Sequence, residues 1–368
     1  MKAVIMAGGK GTRLRPLTCN TPKPMVPLMG RPVMEYTIDL LKEHGISEIV
    51  ITTQYLTDVI RGYFGDGSDF GVKLHYFEEE TPLGTAGSVK QAETFLDETF
   101  VVISGDALTD FDLSRAIAYH RLQASSATLV LTRVDHPLEF GVVMTDESGR
   151  IIRFLEKPGW GEVFSDTVNT GIYILEPAVL RHVHSSGPFD FSKDLFPLLM
   201  SKDVPLYGYI AEGYWSDIGN LEQYRQAQFD LLDGKVKADI RAREAMPRVW
   251  IGDGVKLDRT ALVEGPAYLG AGTIVEEGVS LGAYSIVGAG GRIEAGASLE
   301  RAVLWNNVSI GRGAEVTGAT LCRNAAVGNQ AAVREGAVVG DSGRIGFKSV
   351  VQPGVKCGRI NRSNRTRC

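Results

Sequence analysis

Residues 269–288 read Leu269-Gly-Ala-Gly-Thr-Ile-Val275-Glu-Glu-Gly-Val-Ser-Leu281-Gly-Ala-Tyr-Ser-Ile-Val287-Gly288. An aliphatic residue returns every sixth position, and glycine often follows it. Read outward, the phase runs unbroken through Ile251, Leu257, Val263, Leu269, Val275, Leu281, Val287, Ile293 and Leu299. It resumes at Leu304, Ile310 and Val316, and again at Leu321, Val327, Val333, Val339, Ile345 and Val351. The two breaks are single five-residue steps. A period of six with turn glycines predicts a β-helix of hexapeptide repeats, each unit one short strand and one corner, with the aliphatic side chain inward. This domain is read as 249–356. Residues 229–248 read as a linker, and the polar run Asp233–Glu244 within them as linker or helix tail. Residues 357–368, with four arginines and one aliphatic, read as a basic tail without structure.

Residues 1–228 carry a different pattern. Strand-like runs at Ala3–Ala7, Glu48–Thr53, Val72–Phe77, Phe100–Ser104 and Thr128–Val134 alternate with helical patterns at Pro32–His44, Leu56–Phe64, Thr85–Phe95 and Leu113–Leu122. Such alternation predicts an α/β domain around a mostly parallel, Rossmann-like sheet covered on both faces. Ligands in these sheets bind at the carboxyl ends of the strands, so the segments after Ala7, Phe77 and Ser104 are expected to share a crevice.

Composition narrows the function. With 368 residues the chain has room for two domains and real cores. A net charge of -5 argues against non-specific nucleic-acid binding. No run of 18 apolar residues exists to span a membrane, and Ala3–Ala7 is too short for a signal peptide. Cys19, Cys322, Cys357 and Cys368 show no C-x-x-C spacing, which predicts reduced thiols in a cytoplasmic protein.

The first strand feeds Gly8-Gly-Lys-Gly-Thr-Arg-Leu-Arg-Pro16, with Lys23 further on between Pro22 and Pro24. Glycines let backbone N–H groups approach phosphate oxygens, and the cations neutralise them. Leu14 stands where a dinucleotide fingerprint needs glycine, and the GK[ST] ending of a P-loop is missing. Neither common phosphate motif applies.

The pattern G-G-x-G-T-R-L-R-P followed by Lys23 resembles the signature of the sugar-1-phosphate nucleotidyltransferases. Further landmarks follow in the family's order: Glu78-Glu-Glu-Thr-Pro-Leu-Gly-Thr-Ala-Gly87, Ser104-Gly-Asp106, Phe140-Gly-Val-Val143, Phe154-Leu-Glu-Lys-Pro158, Asn169-Thr-Gly-Ile-Tyr173 and Gly213-Tyr-Trp-Ser-Asp-Ile-Gly219. Within the family the glutamate-rich motif looks most like the mannose-1-phosphate guanylyltransferases, with Thr81 as an added residue. The resemblance implies a left-handed β-helix tail, Mg²⁺ as cofactor, an NTP and a hexose-1-phosphate as substrates, and a homo-oligomer. It implies Asp106 and Asp217 as metal ligands, with Asp106 also catalytic. Arg13 is expected on the leaving pyrophosphate, because a guanidinium clamps two phosphate oxygens, and Lys23 at the reacting phosphate. Nucleotide contacts are expected from Ala7, Gly8, Gly9, Gly11, Thr12, Arg13, Glu79, Glu80, Gly84 and Thr85. Sugar-phosphate contacts are expected from Gly141, Glu156, Lys157, Asn169 and Gly171. Lys10 and Arg15 read equally as rim charges, Asp112 as a helix cap, and a cap is the competing reading of Asp217.

The chemistry fits these residue types. A sugar-1-phosphate, dianionic at pH 7, is its own nucleophile toward the α-phosphorus, so the protein has only to hold two anions and spread charge. Glu79 or Glu80 matches the two-donor edge of guanine. GTP with mannose-1-phosphate is therefore the leading pair, and glucose-1-phosphate with UTP, dTTP or ATP the next. Acyl transfer by the β-helix is excluded by histidine placement, since all six precede it. A regulatory role as in exchange-factor subunits, whose loop and metal positions are degraded, is opposed by an intact Gly8, Gly9, Gly11, Arg13, Lys23, Asp106 and Asp217.

Overall fold

The structure, a computed structural model, describes residues 1–184 and 187–358. Most of the predicted basic tail, from residue 359, lies outside the described residues. The chain forms two compact units. The first comprises Met1–Lys10, Pro22–Pro24 and Val33–Asp217, and the second Gly11–Thr21, Met25–Pro32 and the chain from Ile218 onward.

The first unit is built on a nine-stranded sheet. Its parallel half consists of β1 (Lys2–Met6), β2 (Glu48–Thr53), β3 (Lys73–Glu78) and β4 (Phe100–Ser104), in spatial order β4-β1-β2-β3. Ala3, Val4 and Ile5 of β1 are all solvent-excluded, as expected of a parallel strand with both faces covered. Helices α1 (Val33–Glu43), α2 (Thr57–Phe64), α3 (Gly84–Lys90) and α4 (Leu113–Leu122) lie between the strands in sequence. Gly45, at φ +74°, ends α1 as predicted. The helix expected over Thr85–Phe95 is α-helical only to Lys90. Beyond it the N–H groups of Ala92, Glu93, Phe95 and Leu96 bond three residues back, and these tighter turns carry Ala92 and Leu96 into the core.

The other half of the sheet is largely antiparallel. A two-strand ladder joins β5 (Ala107–Thr109), just after β4, to a later strand described below. The remaining large-sheet strands are β6 (Ala127–Arg133), β7 (Gly141–Thr145), β8 (Ile151–Glu156), β9 (Thr167–Leu175) and β10 (Leu206–Ile210). β9 runs antiparallel against β4, β6 and β7, and β8 pairs with β7. The short helix α5 (Phe196–Ser201) precedes β10, and β11 (Trp215–Asp217) pairs antiparallel with β5. The chain crosses from β3 back past β1 to β4. The strand order therefore reverses between β1 and β4, which opens a crevice at their carboxyl ends.

The second unit contains helix α6 (Leu221–Leu232) and the β-helix. Three sheets of eight, six and six strands run along it. Every predicted inward aliphatic from Leu269 to Val351 is in one buried core, and Ile251, Leu257 and Val263 pack half-buried on its first end. The five-residue steps leave register intact. Val287 pairs with Leu304 and Leu304 with Leu321, and Leu321 then pairs with Val339. Each shortened corner carries a left-handed residue, Arg301 at φ 50° and Gly318 at φ 57°. The phase also reaches one position further than the sequence reading took it. Cys357, six after Val351, is 3% exposed and pairs with Val339. Among the described residues, no helix is long and apolar enough to cross a membrane, and Cys19, Cys322 and Cys357 are not disulfide-bonded.

Candidate active site

A cleft of about 300 Å³ opens at the carboxyl ends of the parallel strands of the first unit. Its wall includes Gly8 and Gly9 after β1, Gln54 after β2, Glu79 after β3, and Ser104 and Asp106 at the end of β4. The topological rule thus brings four strand ends to one place. Gly8 lies close against Glu79: a Cβ there would stand 3.3 Å from Glu79 Oε1, tight enough to push that carboxylate aside. Glu79 itself is 8% exposed, and its Oε2 accepts the Leu83 N–H at 3.0 Å. Glu80 is exposed and does not line the cleft. Ala7 is buried, its N–H given to Thr52 O at 2.8 Å.

The N-terminal part of α3 forms another part of the wall through Gly84, Thr85 and Ser88. Gly84 is at φ +72°, and a Cβ on it would lie 2.6–2.8 Å from the Phe189 backbone. Phe189 O accepts from Ala86 and Gly87 N–H at 2.9 and 3.0 Å, while Asp190 Oδ1 accepts the Thr85 N–H and hydroxyl at 3.0 and 3.1 Å. The helix amides that could have met a ligand are largely satisfied by the segment around Asp190, and the carboxylate of Asp190 itself faces the cleft. Sequence reading missed Asp190 and Gln54. The strand-end rule could have found Gln54, the residue after Glu48–Thr53. No local signal marks Asp190.

Lys23 is the hub of the polar site. Its Nζ lies 2.5 Å from Asp106 Oδ2 and 3.2 Å from Asp217 Oδ1, with the lysine side chain 11% exposed. The two carboxylates meet because β11 pairs with β5 in the register Asp217↔Ala107. Asp110 holds that ladder in place: its Oδ1 accepts the Tyr214 N–H at 2.6 Å. Asp217 is not a helix cap, since Asn220 Oδ1 takes the free N–H groups of Glu222 and Gln223 at the start of α6. Asp112 does cap α4, through the Arg115 N–H at 3.0 Å. Burial pushes the Asp106 carboxyl up, but the Lys23 ammonium and the Ser104 hydroxyl outweigh it and hold the group below the usual range. Burial likewise works against the Lys23 charge, and Asp106 and Asp217 reverse this and raise its pKa. Among the described residues no cluster of three His, Cys, Asp or Glu forms a metal cage. Two carboxylates facing a common cation are nonetheless the donor set that a hard divalent ion takes together with phosphate oxygens and water.

The predicted sugar-side residues gather in the antiparallel half. Gly141 and Glu156 are paired across β7 and β8, and a Cβ on Gly141 would stand 2.7 Å from Glu156 Oε2. Asn169 and Gly171 form an irregularity in β9, with Gly171 at φ +78°. Asn169 donates to Tyr173 OH at 3.0 Å and Ser192 Oγ at 3.3 Å, and accepts the Gly171 N–H at 3.1 Å. Burial pushes the Glu156 carboxyl above its usual value, with Lys157 and Lys193 opposing, and pushes the Tyr173 phenol to about 12. Lys157 is held at φ 48°, an uncommon conformation for a residue with a Cβ. It is not part of the cleft wall.

Gly11, Thr12 and Arg13 belong to the second unit. They do not form an open glycine loop. The N–H groups of Leu14, Arg15, Leu17 and Cys19 each bond three residues back, and Thr18 Oγ1 donates to Gly11 O at 2.7 Å. The result is a folded knob with Leu14 and Leu17 buried and Arg13 and Arg15 exposed.

The nucleotidyl transferase family profile matches residues 2–234. The chain belongs to the sugar-1-phosphate nucleotidyltransferases. A second profile, the EIF2B subunit epsilon LbH domain, matches residues 247–351, in keeping with the left-handed β-helix. The chain is 38% identical over 332 residues to a UTP–glucose-1-phosphate uridylyltransferase of Synechocystis sp., covering 86% of each protein. It is 35% identical over 301 residues to a mannose-1-phosphate guanylyltransferase of Mycobacterium tuberculosis, covering 81% of this chain and 83% of that one. A crystal structure described as a glucose-1-phosphate thymidylyltransferase of Bacillus anthracis superposes with a TM-score of 0.57 at 29% identity, over 62% of this chain and 94% of that one. The chain is thus a nucleotidyltransferase enzyme that joins a nucleoside triphosphate to a sugar-1-phosphate.

Proposed function

We propose that the protein condenses GTP with mannose-1-phosphate, releasing GDP-mannose and pyrophosphate, with Mg²⁺ held by Asp106 and Asp217. The observation that carries the choice of base is Glu79. A carboxylate at the cleft wall offers two acceptors to the N1–H and 2-amino group of guanine. One lone pair of Oε2 is spent on Leu83 N–H, which leaves the other lone pair of Oε2 and those of Oε1 as acceptors for the base. The 35% identity to a guanylyltransferase supports the same reading.

In the reaction a phosphate oxygen of the sugar-1-phosphate forms a bond to the α-phosphorus. The bond from that phosphorus to the bridging oxygen breaks, and pyrophosphate leaves. Bound Mg²⁺ would supply Lewis-acid stabilisation of the charge on the transferred phosphoryl group. Lys23 neutralises Asp106 and Asp217 in the substrate-free protein and is well placed to turn to a phosphate oxygen once those carboxylates are otherwise occupied. Arg13, exposed on its knob, is assigned to the leaving pyrophosphate. Half-buried Glu156 accepts from sugar hydroxyls, and Asn169 and Gly171 shape that side. We place the protein in the cytoplasm as a homo-oligomer, the latter checked by light scattering.

A panel of GTP, UTP, dTTP and ATP against mannose- and glucose-1-phosphate, read by pyrophosphate release with and without Mg²⁺, tests the whole reading. Preference for GTP with mannose-1-phosphate is the expected result. The 38% identity to a uridylyltransferase favours a second reading, UTP with glucose-1-phosphate, and preference for that pair would replace the first.

A further inference from the structure

Residues 189–193 run from the nucleotide wall to the sugar side, all within the first unit. At the nucleotide wall, Phe189 N–H donates to Leu83 O at 2.8 Å, Asp190 Oδ1 takes the Thr85 N–H and hydroxyl, and Thr85 Oγ1 accepts the Phe191 N–H at 2.9 Å. The chain then makes a wide turn. Asp190 O accepts from both Asp194 and Leu195 N–H, at 3.1 and 2.9 Å, and the second bond spans five residues where an α-helical one spans four. Asp194 Oδ2 closes the turn by accepting the Asp190 N–H at 2.7 Å. Phe191 is 1% exposed, its ring 4.9 Å from Tyr173 and 5.6 Å from Phe196. Ser192 follows a residue locked in the core and sits inside a turn bonded at both ends, so its hydroxyl has a set place.

The protons around that hydroxyl can be followed one by one. Asn169 Oδ1 accepts the Gly171 N–H, which fixes which way the amide points. The two protons on Asn169 Nδ2 then go to Tyr173 OH at 3.0 Å and Ser192 Oγ at 3.3 Å. A serine oxygen that accepts from Asn169 has its own proton left to give. Two groups face it, the Tyr173 hydroxyl and the Glu156 carboxyl, and Ser192 lowers the pKa of both. The carboxylate is the stronger acceptor. The bonds therefore run from Gly171 N–H to Asn169, from Asn169 to Ser192, and from Ser192 to Glu156. Gly141 on β7 backs the same carboxylate, since a Cβ there would stand 2.7 Å from Glu156 Oε2.

We propose that Ser192 is a positioning residue for Glu156: its hydroxyl donates to that carboxylate and so aims the remaining lone pairs at the sugar hydroxyls. For its kinetic consequence the idea rests on the proposed sugar-side role of Glu156, but the bond from Ser192 to Glu156 stands by itself. A serine that only completed the turn would have no effect on Glu156.

Two measurements on the full chain test it. The first is a carbon NMR titration of side-chain-labelled glutamate in the substrate-free protein, with the Glu156 signal identified as the one missing from Glu156→Gln. In Ser192→Ala the Glu156 pKa should move further up, because a donor to the ionised form is lost, and in Ser192→Thr it should return. Lys157, Lys193 and Asp190, the charged groups that act on Glu156, are the same in all three proteins. Ser192→Cys, of similar size and a weak donor, is the second variant should Ser192→Ala not fold. An unmoved Glu156 pKa in the folded variants overturns the proposal, whatever the substrates prove to be. The second measurement is kinetic, with whichever of mannose- and glucose-1-phosphate the protein prefers. Ser192→Ala should raise KM for the sugar phosphate about tenfold and leave KM for the nucleotide within about twofold, and Ser192→Thr should recover to within about threefold of the parent. In a Glu156→Gln background Ser192→Ala should add little. Equal losses in both backgrounds would mean that Ser192 does not act through Glu156. A raised pKa with every KM unchanged would keep the bond and strike out the sugar-side role of Glu156 instead.

Discussion

The β-helix and the catalytic cleft solve opposite problems. In the β-helix every inward residue meets a like residue one coil away, as Ile293 meets Ile310 and Ile310 meets Val327. The contact is the same each time, so stability is spread over the stack and no single position is unique. In the cleft nothing repeats. Lys23 meets Asp217 across 194 positions of sequence, and Glu79, Asp106 and Asp190 each do something no other residue does. The contrast predicts that changes in the cleft are felt in activity and changes in the β-helix in stability.

The sharpest way to break that contrast is Asp106→Asn. The amide keeps the shape, and Lys23 keeps Asp217 as a partner. Turnover of the preferred substrate pair should fall by about 10²–10³-fold, the scale seen when a preorganised charge contact to a transition state is removed. Tm should fall by a few degrees, because the Lys23 contact that holds the Asp106 carboxyl below its usual range is lost, yet the variant should stay folded. Activity within about threefold of the parent would take Asp106 out of the chemistry.

Gly84→Ala crosses the boundary between the two behaviours. The new Cβ demands φ +72° from a non-glycine residue and runs into the Phe189 backbone at 2.6–2.8 Å. The cost should be roughly 2–4 kcal/mol in urea unfolding, through strain and displacement of the 189–191 segment. Because Asp190 moves with that segment, KM for the nucleotide should rise as well. A stable variant with a normal KM would mean that the α3 turn has more freedom than its bonds suggest.

The same contrast explains what could be read from the sequence. The six-residue phase names one inward aliphatic per repeat because each repeat states the same rule again, and Cys357 obeys it too, while the smaller core residues between them, such as Ala297, Ala314 and Ala331, are not marked by it. The parallel strands were legible through their apolar runs and flanking helices, and the strand-end rule led to Gly8, Glu79 and Asp106. The antiparallel half was seen only as motifs. Strands such as Gly141–Thr145 and Trp215–Asp217 are short, and their pairing is set by distant partners rather than by their own pattern. For the same reason Asp190 was invisible. Its role comes from the Thr85 N–H it accepts, over a hundred positions away. The opening loop divides: Gly8 and Gly9 line the cleft, and the part from Gly11 on is folded. Glycines suggested an open cradle, but Leu14 and Leu17 bury themselves and pull the segment into a knob.

A milder change checks the stability side. Ile310→Val removes one methylene from the middle of the β-helix stack, where Ile310 is fully buried. It should cost about 0.5–1.5 kcal/mol and leave kcat and KM unchanged. A fall in kcat of about tenfold or more would mean that the β-helix core does more than hold itself together.

The smallest expected effect is also the one that separates the two regions by sign. Burial raises the Glu156 carboxyl pKa, with Lys157, Lys193 and Ser192 opposing and Asp190 reinforcing. A carboxyl whose folded pKa lies above its unfolded value gives a contribution that is fully present below the unfolded pKa, near 4.3, and is lost as pH rises through the folded one. Above that folded pKa the ionised Glu156 makes the fold less stable than a neutral residue of the same shape would. Glu156→Gln should raise Tm at pH 7.5, and the gain should shrink to nothing as the pH falls toward 4. KM for the sugar phosphate should rise at the same time, because an amide no longer accepts from hydroxyls at both atoms. A variant less stable than the parent at pH 7.5 would reverse the sign and mean that Lys157 and Lys193 outweigh burial. The stability lost to an ionised Glu156 is then what the cleft gives up to keep an acceptor for sugar hydroxyls, and no position in the β-helix core carries such a conflict.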